Sequence, residues 1–180
     1  MNPPPRRLVL VSGCPGAGKT TVAVPLAAEL GFTLLAKDRI KETLHDGLGA
    51  PVADRAWSRR LGGAAMELLW ALAADAPSVV LEANFRPRSA YERGRIGALA
   101  AFARPVEVHC ACPLALAARR YNRRAAARHP VHVVEQLAAD DLTEFDRPVG
   151  IGDVIMVDTT GPVDAAEVAG KVRAYWRVAI

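Results

Sequence analysis

Cysteine, aromatic residues and long apolar runs are all scarce in this 180-residue chain, and each scarcity excludes something. The three cysteines (Cys14, Cys110, Cys112) are an odd number, so a disulfide framework is not expected; reduced thiols in a cytoplasmic protein are. His109, Cys110 and Cys112 match no zinc-ligand spacing. Aromatics are only 6% of the residues, too few for an obvious base-stacking surface. No apolar run is long enough to span a bilayer. The opening residues, Met1 to Arg7, lack the apolar core and small-residue cleavage site of a secretory signal.

What is present is an ordinary globular composition, 51% apolar and 23% charged, with a net charge of +4. One domain over residues 1–180 is expected. The charge is too mild to imply nucleic-acid binding by itself. Its distribution says more, because Arg119, Arg120, Arg123, Arg124 and Arg128 fall within ten residues that contain no acid.

Apolar runs alternate with helical patterns. Strands are expected at Leu8–Val11, Phe32–Ala36, Ser78–Leu81, Val106–Cys110 and Val154–Val157. A helix is expected from Gly18 to Leu30, bent at Pro25 and stopped by Gly31. A short helix should start at Asp38, followed by a loop over residues 46–54. A long helix should carry Trp57, Leu61, Ala65, Leu68 and Leu72 on one face. Ser89-Ala90-Tyr91-Glu92 has the capping-box pattern for a helix to about Ala103. Further helices are expected over Leu114–Ala127, around Val133–Phe145, and from Asp164 to near Trp176. Strands separated by such helices imply a parallel sheet with helices on both faces, and ligands beyond the carboxyl ends of the strands.

The most specific signal is Gly13-Cys14-Pro15-Gly16-Ala17-Gly18-Lys19-Thr20, which fits G-x-x-x-x-G-K-[ST] between an expected strand and an expected helix. Glycines let successive backbone N–H groups converge on phosphates, and the helix start adds its positive end. Lys19 would reach the β- and γ-phosphates and Thr20 would put a hydroxyl on Mg²⁺, with Thr21 next along the helix. The plainer reading is a glycine turn with an exposed lysine.

Together with Lys37-Asp38-Arg39-Ile40-Lys41-Glu42, Leu81-Glu82-Ala83-Asn84-Phe85-Arg86 and the Arg120–Pro130 stretch, this motif resembles the P-loop kinases of the zeta-toxin, chloramphenicol-phosphotransferase and polynucleotide-kinase-like group. The resemblance implies a three-layer α/β fold whose five-stranded parallel sheet has the order 2-3-1-4-5. It implies a helical lid over about residues 115–145, ATP and Mg²⁺ as cofactors, and a hydroxyl group as phosphate acceptor. Asp38 resembles the general base of that group, although it is also a good N-cap for the helix that follows. Lys41, one turn on, could neutralise an anionic acceptor or simply be solvated. Glu82 stands where relatives carry an Asp that holds Mg²⁺. Asn84, Arg86 and Arg88 could touch the acceptor.

Arg120, Arg124 and Arg128 recur at i, i+4, i+8, one face of a helix. In the lid reading Arg120 and Arg124 clamp the transferring phosphoryl group and Arg128 lies toward the acceptor; otherwise they form a solvated basic face. The relatives' Arg-His-Pro-Gly-His-x-Asp reads here as Arg128-His129-Pro130-Val131-His132-Val133-Val134, without the glycine or the acid. Thr159, in Asp158-Thr159-Thr160-Gly161-Pro162, falls where the related kinases hold adenine.

Three functions remain in view. The first is a kinase of small hydroxylated molecules (a sugar, nucleoside or antibiotic), with acceptor contacts from residues 45–60 including His45, Arg55, Trp57, Arg59 and Arg60. The second is a polynucleotide 5′-hydroxyl kinase, disfavoured because only Tyr121 interleaves the arginines. The third is a nucleotide-binding switch without an acceptor. The sequence sets no oligomeric state.

Overall fold

A computed structural model describes residues 6–49, 54–133 and 136–177. Its core is a five-stranded parallel sheet: β1 (Arg6–Ser12), β2 (Thr33–Ala36), β3 (Ser78–Glu82), β4 (Ala103–Ala111) and β5 (Asp153–Asp158), in the order β2-β3-β1-β4-β5. Helices α1 (Lys19–Leu30), α2 (Lys37–Leu48), α3 (Arg55–Asp75), α4 (Ala90–Ala100), α5 (Leu114–Arg123) and α6 (Ala165–Arg177) connect and cover it. None of the helices among the described residues is long and apolar enough to cross a membrane.

β1 is central, so both of its faces must be apolar. Its alternate side chains divide between two cores. Val9 and Val11 pack with Val22, Leu26 and Val168 on the α1/α6 side, while Leu8 and Leu10 pack with Leu69, Trp70 and Ile96 on the α3/α4 side. Each fully buried Val or Leu contributes about 1.5–3 kcal/mol, and the alternation fixes the register of β1. Because all five strands run parallel, α1, α2 and the segments after β3, β4 and β5 leave from the same carboxyl end of the sheet, and the chain gathers its polar loops there.

Several local expectations are corrected. Asp38 does not cap its helix: α2 begins at Lys37 with Ala36 as the N-cap, and Asp38 sits in the first turn. The helix also continues through 46–48, into what had read as loop; residues 50–53 of that stretch lie outside the described residues. Leu68 and Leu72 are exposed, and α3 buries Leu69, Trp70 and Ala73 instead. Ser89 accepts the Glu92 N–H at 3.2 Å, but the Glu92 carboxylate turns to the Arg86 N–H rather than closing the capping box.

The largest correction concerns the segment after β4. α5 stops at Arg123 and a short 3-10 turn follows at Ala125–Ala127, so Arg128 is not on the face of Arg120 and Arg124. Arg128 folds back, donating to the Tyr121 carbonyl and laying its guanidinium 3.2 Å from the centre of the Tyr121 ring. The helix expected around Val133–Phe145 is absent, leaving a 3-10 turn at Asp140–Phe145; Val134 and Glu135 lie outside the described residues. The side chain of Asn122 explains this. It takes both backbone groups of Leu137 (3.0 Å each), the donor and acceptor a helix there would need for its own ladder.

One buried group was not foreseen. Glu107, fully buried in β4, accepts from the backbone N–H groups of Val149 (2.9 Å) and Gly150 (2.8 Å) and from the Ser12 hydroxyl. Since Ser12 donates to Glu107, His109 must donate its Nδ1–H to Ser12 (2.9 Å). Burial, opposed in part by Glu107, holds the His109 imidazole below its ordinary pKa. Glu107 thus ties the chain before β5 to the strand that enters the glycine loop. Glu107→Ala strands at least two buried donors, so it should cost about 3 kcal/mol or more in urea unfolding; a loss below about 1 kcal/mol would contradict this account.

Candidate active site

The glycine loop leaves β1 at Gly13 and enters α1 at Lys19. Gly13, Gly16 and Gly18 have φ of 129°, 85° and 88°, the left-handed region that side chains avoid. At Gly16 the constraint is doubled, because a Cβ there would lie 2.1 Å from the Ala117 carbonyl oxygen of α5. The loop is held by Ala17 N–H donating to Cys14 O (3.1 Å), and Lys19 Nζ donates to the same carbonyl (2.9 Å). Gly18 is the N-cap of α1 and has no side chain to satisfy the first-turn N–H groups. These donors are therefore left for a ligand. Cys14, Pro15 and Ala17 shape the same turn, and burial pushes the Cys14 thiol pKa up.

Lys19 is buried, and burial lowers its pKa against the opposing pull of Glu82 and Asp38. Glu82, at the end of β3, is also buried; burial raises its pKa while Lys19 and the Thr20 hydroxyl lower it. Thr20 and Thr21 are exposed at the start of α1. Thr20 and Glu82 together offer a hydroxyl and a carboxylate, the oxygen donors a hard divalent cation takes, and an anionic ligand beside Lys19 would relieve its unpaired burial. The donor set fits a magnesium–triphosphate.

A cleft of about 960 Å³ runs from this loop along α2. Lys19, Thr20, Asp38, Glu82, Asn84, Arg124 and Arg128 all line it, so the structure brings these expected site residues together. Asp38 is half-exposed and paired with Lys37 Nζ at 2.9 Å. Desolvation pushes its carboxyl upward, but Lys37, His132 and Lys19 outweigh it and hold the pKa below its ordinary value. The Oδ1 of Asn84 is buried without a partner. A smaller cavity of about 220 Å³ adjoins, between Gly16, Gly18 and Thr21 on one side and Arg120, Arg124, Thr159 and Gly161 to Val163 on the other. Thr159 is pinned by its own N–H and hydroxyl to Ala111 O (2.9 and 3.0 Å). Arg120 donates to Thr159 O (2.7 Å) and Thr160 O (2.8 Å), whereas exposed Arg124 donates to Arg120 O (3.3 Å).

Other expected residues are elsewhere. Lys41 is buried behind the cleft, donating to Ser58 Oγ (2.7 Å), which in turn donates to Val131 O (2.7 Å). Arg86 pairs with Glu144 (2.9 Å) and Glu92 (3.3 Å), and Arg88 with Asp146 (3.0 Å). None of His45, Arg55, Trp57, Arg59 and Arg60 lines the cleft; His45 stacks edge-on with His129. Sequence reading missed Lys37, Arg39, Glu42, His129 and His132, which line the cleft across from the loop; His132 contacts Glu42 (2.8 Å) and His129 contacts Asp46 (3.0 Å). Their only signal was position after β2 and in the arginine stretch.

Residues 8–148 match the family described as AAA domain. The chain belongs to this family. No curated protein sequence matches it. A candidate kinase from Chloroflexus aurantiacus is similar at 33% identity and TM-score 0.81, over 94% of this chain and 97% of that one. The APS kinase of Mycobacterium tuberculosis, in complex with AMPPNP and APS, is 26% identical (TM-score 0.57; 97% and 99% covered). Shikimate kinase from Acinetobacter baumannii, in complex with shikimate, shares the fold at 19% identity (TM-score 0.62; 96% and 94% covered). The fold is that of the P-loop kinases. The AAA-domain match takes in the glycine loop, Asp38, Glu82 and α5, and ends before Thr159.

Two outcomes follow from this geometry. Gly16→Ala should leave the secondary structure intact by circular dichroism and weaken binding of an ATP analogue by tenfold or more in calorimetry; unchanged affinity would contradict the close approach to α5. Burial first, and then the charge of Lys37, pull the Lys41 pKa down to about 8 from 10.5. Between those values the unfolded chain holds a proton that the native chain does not, so stability rises with pH from about 8 to 10.5. Lys41→Met should flatten this rise when unfolding is compared across the same window.

Proposed function

We propose that the protein is an ATP-dependent phosphotransferase that moves the γ-phosphate to a hydroxyl group of a small molecule, with Asp38 as general base. The observation that carries this reading is that Asp38 and Lys19 line one cleft, with Glu82 beside Lys19. The kinase neighbours support it, as does the family to which the chain belongs. Within that family the reading places the chain with the zeta-toxin and chloramphenicol-phosphotransferase type of hydroxyl kinase.

The nucleotide base would occupy the smaller cavity beside Thr159 and Arg120, and the triphosphate would lie on Gly13–Thr20. Lys19 would exchange the Cys14 carbonyl for phosphate oxygens. Thr20 and Glu82 would hold Mg²⁺, which when bound neutralises charge on the β- and γ-phosphates. Lys37 keeps Asp38 ionised at neutral pH. Asp38 orients the acceptor hydroxyl and takes its proton as the new O–P bond forms and the bond to the departing ADP oxygen breaks. In the lid reading of about residues 115–145, Arg124 at the end of α5 would stand over the transferring group from a helix already seated on the glycine loop, and would help exclude water.

A polynucleotide acceptor is disfavoured, because Arg128 covers the face of Tyr121, the one aromatic ring among the described residues of the cleft's lining apart from the histidines. Asp38→Asn should lower phosphate transfer by about 10²–10⁴-fold while ATP-analogue binding persists, and Lys19→Ala should weaken both. Radiolabelled-ATP transfer over a panel of hydroxyl compounds measures this. An undiminished rate in Asp38→Asn would refute the assignment of the base.

A further inference from the structure

The charges along the cleft do not cancel. Two carboxylates of α2 line this part of the cleft, Asp38, paired with Lys37 (2.9 Å), and Glu42, in contact with His132 (2.8 Å), against three cations of the same lining, Lys37, Arg39 and Arg128. Glu82 lies with Lys19 at the phosphate end. Two guanidinium groups at the acceptor end have no carboxylate partner among the described residues. Arg39 lines the cleft, is exposed, and its side chain has no hydrogen-bond or ion-pair partner among the described residues. Arg128 rests on Tyr121 and donates to its carbonyl, yet its Nη1 is buried with no partner. Behind Asp38, Lys37 and Lys41 converge on the same point of α3: a Cβ at Gly62 would lie 3.9 Å from Lys37 Nζ and 4.0 Å from Lys41 Cε. Beside these cations Asn84 presents a buried, unpartnered Oδ1, which can only accept.

We infer that the acceptor is an anion as well as an alcohol: a hydroxylated carboxylate or phosphate ester whose charged group is bound by Arg39, with Arg128 nearby and a second hydroxyl donating to Asn84. This rests on the kinase reading above and deepens it. A guanidinium with all its N–H groups free is suited to a planar carboxylate or a phosphate, which it can meet with two parallel hydrogen bonds. A neutral polyol would leave the excess positive charge of this wall unanswered. Arg39 then acts in specificity and orientation, since an anion fixed one residue from Asp38 brings a neighbouring hydroxyl to that carboxylate.

The test uses the full chain with saturating AMPPNP and Mg²⁺, so that added anions cannot occupy the glycine loop. Affinities are measured by calorimetry for matched sets sharing one polyol: glycerol, glycerate and glycerol phosphate; ribose, ribonate and ribose 5-phosphate; glucose, gluconate and glucose 6-phosphate. In at least one set a charged member should bind tenfold or more tightly than its neutral parent, and Arg39→Gln should remove most of that preference. The carboxylate and phosphate arms tell the two anion types apart. The inference is overturned if no charged member in any set binds more tightly than its parent, or if the preference survives in Arg39→Gln. Phosphate transfer is followed on the same sets. Arg39-dependent anion binding without any Asp38-dependent transfer would keep the anion subsite and refute the kinase reading. Transfer to neutral parents with no charge preference would do the reverse.

Discussion

The contact on which the site depends is the seat of the Gly16 backbone against the Ala117 carbonyl of α5. No side chain could stand between them. Because the loop and α5 meet there, the phosphate turn and the helix that carries Arg120, Tyr121 and Arg124 form one packed unit. Arg120 extends that unit to the loop after β5 through two carbonyls, Thr159 O and Thr160 O. A ligand on the turn thus meets α5 and the Thr159 loop in positions set beforehand, which lowers the ordering cost of binding.

The same turn sets the electrostatics. Lys19 and Glu82 are both buried, and each opposes the other's desolvation. Without phosphates Lys19 has a single carbonyl to donate to, so part of its hydrogen-bonding capacity is unused. Such a buried, incompletely partnered ammonium stabilises an anionic ligand more than it stabilises the empty fold. Along α2 the pattern differs: Asp38 pairs with Lys37, Glu42 and Asp46 contact His132 and His129, and Arg39, which lines the cleft, has no carboxylate partner among the described residues. One end of the cleft is built for phosphates and the other carries spare positive charge.

Much of this was legible in the sequence. The glycine loop declares itself because its chemistry needs specific residue types in a fixed, contiguous spacing, and Asp38, Glu82 and Asn84 follow because strand ends in a parallel sheet converge. What could not be read depended on side chains folding back across the sequence. Asn122 taking both backbone groups of Leu137 removed an expected helix, and Arg128 reaching Tyr121 took itself off the α5 face. The burial of Glu107 in a strand is explained by donors distant in sequence, the Val149 and Gly150 N–H groups and the Ser12 hydroxyl. Lys41 and Arg86 had the composition of acceptor-binding groups, but Ser58 and the pair Glu92 and Glu144 hold them elsewhere.

The central claim is that main-chain amides of Gly13–Thr20 grip a nucleotide triphosphate. The most direct measurement is a titration of the ¹⁵N-labelled protein with AMPPNP and Mg²⁺, following individual amide resonances. The account predicts saturable shifts largest at Gly16 to Thr20, with smaller ones at Thr159 to Gly161. Shifts confined to other parts of the chain, or none at millimolar nucleotide, would contradict it.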